Sequence, residues 1–89
     1  MPQSKIDNFS TIKDIIERQI LNTLDFFFTD NKLDEIEVVQ ISRYVLKNID
    51  STTSTSNLFQ QIRLFVNKYP LFKENLSKTI MALNKSYGN

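Results

Sequence analysis

Residues 11–28 read TIKDIIERQILNTLDFFF, and this stretch decides the fold. Its apolar residues recur every three or four positions, which is the period of an α-helix. The repeat is carried by Ile12, Ile15, Ile16, Ile20, Leu24 and Phe27. Leu21, Phe26 and Phe28 widen the apolar stripe well beyond the width that a surface helix usually shows. Helix 1 is therefore predicted to be either the central helix of a bundle or part of a second interface.

The second helix has the clearest start signal in the chain. Asp34 suits the N-cap position, and Glu37 three residues later completes a capping box. Leu33 and Val38 are placed to form a hydrophobic staple around this cap. The core stripe predicted for helix 2 is Val38, Ile41, Val45 and Ile49, with Val39 and Leu46 on an adjacent face. Because the link over residues 29–32 is short, helices 1 and 2 are predicted to form an antiparallel hairpin.

A Ser/Thr-rich segment at residues 50–56 separates this hairpin from two further helices. It is predicted to be a flexible loop because hydroxyl side chains compete for backbone hydrogen bonds. Helix 3 is predicted over residues 58–69, with its cap at Ser56 or Asn57. Pro70 ends helix 3 and can also begin helix 4. The predicted core stripe of helix 4 is Phe72, Leu76, Ile80, Leu83 and Tyr87.

These segments predict one all-α domain over residues 1–89, a small bundle of four helices. Helices 1 and 2 form the antiparallel hairpin, and a tight proline turn joins helices 3 and 4. Residues 1–9 are predicted to be flexible. No segment has the period-two alternation of a strand, and no apolar run approaches the ~20 residues of a membrane span. The start of the chain also lacks the apolar core of a secretory signal. We therefore expect a cytoplasmic protein with no transmembrane segment.

The composition argues against catalysis. The chain has no histidine, no cysteine and a single glycine, Gly88. Histidine and cysteine supply much of the acid–base, nucleophilic and metal-binding chemistry of enzymes. The paired acids Asp14 and Glu17, and Asp30 and Asp34, are more typical of charges near helix N-termini than of catalytic pairs. The sequence therefore predicts no enzyme activity, no cofactor and no metal site.

A small helical domain without such chemistry is expected to work by contact. We predict a non-enzymatic protein–protein interaction module that binds another protein or its own copy. Size and architecture alone point to an adaptor, an inhibitor or an immunity-type protein. The candidate interface residues are Leu21, Phe26, Phe28, Leu64 and Met81. A twofold homodimer around Leu21 and Phe28 satisfies the apolar surplus of helix 1 most simply. The other interpretation is that the helix 1 residues fill the core.

Charge is divided unevenly along the chain. Residues 1–50 carry nine acidic and six basic side chains, a net charge of −3, whereas residues 51–89 carry one acidic and five basic side chains, a net charge of +4. The two halves either complement each other in the folded domain or leave a basic surface for an anionic partner. The alternative function is therefore association with nucleic acid through the basic half. The candidate basic patch is Arg63, Lys68, Lys78 and Lys85. Nucleic acid is not the favoured partner, because a DNA reader usually carries a denser basic surface.

Overall fold

The computed structural model describes residues 8–87, and that part of the chain contains four α-helices and no strand. The predicted all-α fold class is confirmed. A π-helical turn extends the second helix, and a 3₁₀ turn precedes the fourth. The elements in chain order are α1 Asn8–Thr29, α2 Glu35–Tyr44, the π turn Val45–Ile49, α3 Thr55–Lys68, the 3₁₀ turn Pro70–Phe72 and α4 Lys73–Tyr87. None of these helices combines the length and apolar character needed to cross a membrane.

Two helix starts differ from the sequence-based bounds. α1 begins at Asn8, three residues before the predicted start, so Asn8 and Phe9 are helical. The remainder of the segment predicted to be flexible, residues 1–7, lies outside the described residues. α3 begins at Thr55 because Ser54 is its N-cap: the Ser54 hydroxyl accepts a hydrogen bond of 3.1 Å from the Asn57 N–H. The cap predicted at Ser56 or Asn57 was therefore wrong.

A Schellman motif ends α1. Asn31 has φ of 62°, in the left-handed region that asparagine tolerates better than most residues. Its N–H donates to the Phe28 carbonyl at 3.1 Å, and the Lys32 N–H donates to the Phe27 carbonyl at 2.8 Å. These bonds satisfy the last carbonyls of α1 and reverse the chain. The turn thus needs no glycine.

The predicted capping box then begins α2. The Asp34 side chain accepts from the Glu37 N–H at 2.8 Å, and the Glu37 side chain accepts from the Asp34 N–H at 3.0 Å. Two N–H groups that the helix leaves unpaired are satisfied in this way. The Schellman motif and the capping box together fix the predicted antiparallel hairpin of α1 and α2.

α1 is the central helix, since it contacts each of the other three. It lies antiparallel to α4: the Phe27 and Phe72 rings meet edge to face with centroids 5.4 Å apart, and the Asn75 amide donates to the buried Thr23 hydroxyl at 3.3 Å. Phe72 also packs on Phe65 at 5.1 Å, which anchors the proline turn in the core. The buried apolar residues are Ile12, Ile16, Ile20, Leu24, Phe27, Ile41, Val45, Ile49, Leu58, Ile62, Phe65, Phe72, Leu76 and Leu83. The side chain of Tyr87, predicted in the core, lies outside the described part.

The Ser/Thr-rich segment is shorter than predicted and partly packed. The Asp50 N–H donates to the Val45 carbonyl at 2.9 Å, a bond across five residues that defines the π turn. Thr52 is buried, and its hydroxyl donates to the Ile49 carbonyl at 2.7 Å. The Ser51 hydroxyl donates to the Lys47 carbonyl at 2.8 Å. Hydroxyl side chains therefore satisfy the carbonyls that the end of a helix leaves unpaired.

Candidate interaction surfaces

The five candidate interface residues are all exposed. Their relative exposures run from 43% for Phe28 to 69% for Met81. The wide apolar stripe of α1 is therefore not filled entirely by the core: Leu24 and Phe27 are buried, whereas Leu21, Phe26 and Phe28 face outward. Their role in binding remains a prediction.

These five residues do not lie on one surface. Successive residues of an α-helix are rotated by about 100°. Leu21 and Phe28 are seven residues apart and lie on nearly the same side of α1, whereas Phe26 lies about 150° away from them. Leu64 and Met81 belong to the outer sides of α3 and α4. Of the predicted set, only Leu21 and Phe28 share a side of one helix.

The outer side of α2 and the π turn carries an exposed apolar stripe. The sequence analysis placed Val39 and Leu46 beside the core stripe but did not include them among the candidate interface residues. Ile36 and Leu46 are 68% and 67% exposed, and Val39 between them is 48% exposed. They lie on the side of the helix opposite the buried Ile41 and Val45. The signal in the sequence was a second apolar period, at residues 36, 39 and 46, running beside the core period.

This stripe and Phe28 of α1 both lie beside the acidic start of α2. Phe28 and Glu35 line one shallow cavity at the turn, and Glu35 also lines the next cavity together with Ile36 and Val39. Exposed large apolar residues therefore lie on both helices of the hairpin. We call this set of residues the hairpin face and define it by Leu21, Phe28, Ile36, Val39 and Leu46.

A cleft separates α3 from α4 on another side of the molecule. Its volume is about 350 Å³, and its apolar floor includes Phe59, Val66 and Ile80. Arg63, the one charged side chain lining it, lies at its rim. We call this feature the α3–α4 cleft. It is more enclosed than the cavity at the α1–α2 turn.

Helical geometry separates Arg63 from Lys68 within the predicted basic set, and a role of this set in binding nucleic acid stays a prediction. Arg63 lines the α3–α4 cleft, whereas Lys68, about 140° away around α3, lines a depression beside α2. Lys78 on α4 forms an ion pair with Glu74, with an N–O distance of 3.7 Å. Lys85 lies seven residues further along the same helix. Helical geometry therefore places Arg63 and Lys68, which are five residues apart, on different surfaces.

The depression that Lys68 lines is basic, and its other cations come from the acidic half of the chain. Arg43 and Lys47 lie at the junction of α2 and the π turn and line the same surface as Lys68. Tyr44 and Tyr69 also line it. We call it the basic depression and define it by Arg43, Tyr44, Lys47, Lys68 and Tyr69. Arg43 also borders the hairpin face.

A partly buried acid lies between α1 and the end of the π turn. Burial, a hydrogen bond with the Asp50 side chain and repulsion from the Asp50 carboxyl together raise the pKa of Glu17 to about 7. Lys13 partly opposes this rise, and its ammonium donates to the Asp50 carbonyl at 2.8 Å. The buried Oε2 atom of Glu17 has no fixed donor in the protein. A hydrogen bond between the two carboxyls therefore forms only when one of them carries a proton.

Across residues 8–87, no three carboxylates lie close enough to hold a metal ion. Comparison with protein-family models, with curated proteins and with solved structures finds no match for this chain.

Proposed function

We propose that this protein is a non-enzymatic interaction module that binds another protein chain through the hairpin face. The observation that carries the proposal is the run of large apolar side chains exposed across α1 and α2, above all Ile36 and Leu46. Exposed apolar patches mark interaction sites in soluble domains. The lack of histidine and cysteine supports a role in binding rather than in catalysis.

A second copy of the chain is the partner that we propose. A twofold axis places the same apolar surface on both sides of the contact, so each copy covers the other. α2 also begins with acidic residues, Asp34, Glu35 and Glu37, and carries Arg43 in its last turn. When two such helices pack antiparallel, the acidic start of each lies beside the basic end of the other. The charges around the hairpin face are therefore compatible with self-association.

A dimeric module of this kind would serve as an adaptor, an inhibitor or an immunity-type protein. We propose the cytoplasm as its location, and the lack of cysteine supports this, because disulfides are rare in reducing compartments. The proposed kind of module is based on size and architecture, and the proposed location on composition.

The test is the oligomeric state of two charge variants, Phe28→Glu and Val39→Glu, measured by light scattering with circular dichroism to verify folding. Each variant places a carboxylate within the apolar contact, and we expect both to be folded monomers where the wild type is a dimer. Gln60→Glu adds the same charge at an exposed position of α3 and should leave the dimer intact.

A wild type that stays monomeric at high micromolar concentration would refute the dimer. If Phe28→Glu unfolds, Phe28 contributes to the core, and Val39→Glu then decides whether the hairpin face binds. Masses that grow beyond a dimer with concentration would instead indicate head-to-tail contact, with the hairpin face of one copy in the α3–α4 cleft of the next.

A further inference from the structure

Three basic side chains from two helices converge on the basic depression. Arg43 and Lys47 are four residues apart, and Lys68 reaches the same surface from the last turn of α3. No acidic side chain lines this depression, and over residues 8–87 none of the three cations forms an ion pair. Like charges brought together without a counter-charge repel one another, so this arrangement favours an anionic ligand.

Two tyrosine rings lie among these cations. The ring centroids of Tyr44 and Tyr69 are 5.8 Å apart in an edge-to-face arrangement, and both rings pack on the buried Phe65 at 5.7 and 5.2 Å. Contact with the core fixes both rings, and each remains partly exposed. The Lys68 ammonium lies 5.7 Å from the centroid of Tyr69. The depression therefore offers a rigid aromatic surface beside its positive charges.

The remaining lining groups are amides. Gln40 and Asn48 border the depression, and the Asn48 amide donates to the Tyr44 carbonyl at 3.2 Å, which leaves its oxygen as an acceptor. No aliphatic side chain lines this surface, so it has nothing to insert into a lipid bilayer. Proteins bind single-stranded nucleic acids with the same three kinds of group: cations contact the phosphates, aromatic rings stack on the bases, and amides form hydrogen bonds with the base edges.

We propose that the basic depression binds single-stranded nucleic acid, with backbone phosphates on Arg43, Lys47 and Lys68 and a base against Tyr69. The depression is open and has a volume of about 480 Å³, which suits part of an extended strand crossing it. Three phosphate contacts predict a slope of about −2 for log K against log salt concentration. This site is separate from the hairpin face, apart from Arg43, which borders both.

The experiment is fluorescence anisotropy with a labelled oligothymidylate at salt concentrations from about 20 to 200 mM. The variants are Lys47→Glu and Lys68→Glu, because Arg43 would also alter the hairpin face. Each should weaken binding about tenfold and make the salt slope shallower by about 0.7. Lys85→Glu makes the same charge reversal at an exposed position of α4 and should change the affinity less than twofold. Circular dichroism verifies that every variant is folded.

Two further probes separate a nucleic-acid site from a general anion site. Polyphosphate supplies the charge without bases, and polyglutamate supplies the charge of an acidic protein. The proposal requires that the oligonucleotide bind at least several-fold more tightly than either, since only it provides a base for Tyr69. Equal binding of the three probes would overturn it, as would an equal loss in Lys85→Glu and Lys68→Glu, or no binding of the oligonucleotide at low salt. Repeating the titration on Val39→Glu shows whether the site works when the hairpin face does not.

Discussion

Replacing Glu17 by glutamine should stabilise the protein above neutral pH and have little effect at pH 5. In the folded protein the pKa of Glu17 is raised from 4.5 to about 7, so the folded state holds this proton more tightly than the unfolded chain does. Between these two values the folded state binds more protons, and the free energy of unfolding therefore falls as the pH rises. Above pH 7 both states are ionised, and the full cost of the buried charge remains.

The magnitude follows from the size of this pKa difference. For a fully enclosed group, a rise from 4.5 to about 7 corresponds to about 3 kcal/mol. Glu17 is only partly buried, and solvent and salt screen its interactions with Asp50 and Lys13, so we expect about 1 kcal/mol at pH 8. Glutamine keeps the shape of the side chain, adds an N–H donor for the Asp50 carboxyl and does not ionise.

The assay is urea unfolding of the wild type and Glu17→Gln at pH 5 and pH 8. The wild type should be less stable than the variant at pH 8 and equal to it within error at pH 5. Asp50→Asn should recover part of the gain, because it removes the neighbouring charge. Asp25→Asn, at an exposed position of the same helix, should give the same difference at both pH values. If Glu17→Gln is instead less stable than the wild type at pH 8, the Glu17 carboxylate stabilises the fold and the reasoning is refuted.

Three further sets of substitutions test the fold. Leu76→Ala should lower the free energy of unfolding in urea melts by roughly 2–5 kcal/mol, because it leaves a cavity in the core. Lys78→Ala should lower it by less than about 1 kcal/mol, since the ion pair of Lys78 is exposed. Equal losses would contradict the register of α4. Asn31→Ala should lower the stability of the fold by about 1 kcal/mol and Asn31→Gly by almost nothing, because the left-handed backbone conformation at φ of 62° is unfavourable for a residue with a Cβ. Thermal unfolding of the two variants measures this difference. Asp34→Ala should lower stability by about 1 kcal/mol through loss of the cap, and no change in its unfolding midpoint would contradict the capping box.

The parts of the fold that sequence could predict are those with local causes. The capping box of Asp34 and Glu37 involves groups three residues apart, so the sequence contains all of its determinants. The apolar period of α1 likewise predicted a helix with a core-facing stripe, and that helix contacts all the others. The wide stripe of α1 predicted either a core position or a second interface. The structure buries Phe27 and exposes Phe28, because adjacent residues of a helix point about 100° apart.

The parts that sequence could not predict depend on contacts between distant segments. The π turn at residues 45–49 has no recognisable local signal, and it ends where the Lys13 ammonium of α1 binds the carbonyls of Asp50 and Thr52. The Ser/Thr-rich segment resembles a solvated linker by composition. Its Thr52 is buried because its hydroxyl bonds to a helix end and its backbone meets α1. Composition describes the residues of a loop, whereas packing decides which of them are exposed.

The same reasoning explains why charge counted along the chain did not locate a basic surface. The two halves differ by seven charges, −3 against +4. A surface, however, is built from whichever helices lie side by side. Arg43 and Lys47 belong to the acidic half, yet they meet Lys68 because Tyr44 packs on Tyr69 and Phe65 of the basic half. Meanwhile Arg63 and Lys68, five residues apart on one helix, line different surfaces. The aromatic contacts that join α2 to α3 therefore determine where the positive charge collects, and these contacts become visible only in the folded chain.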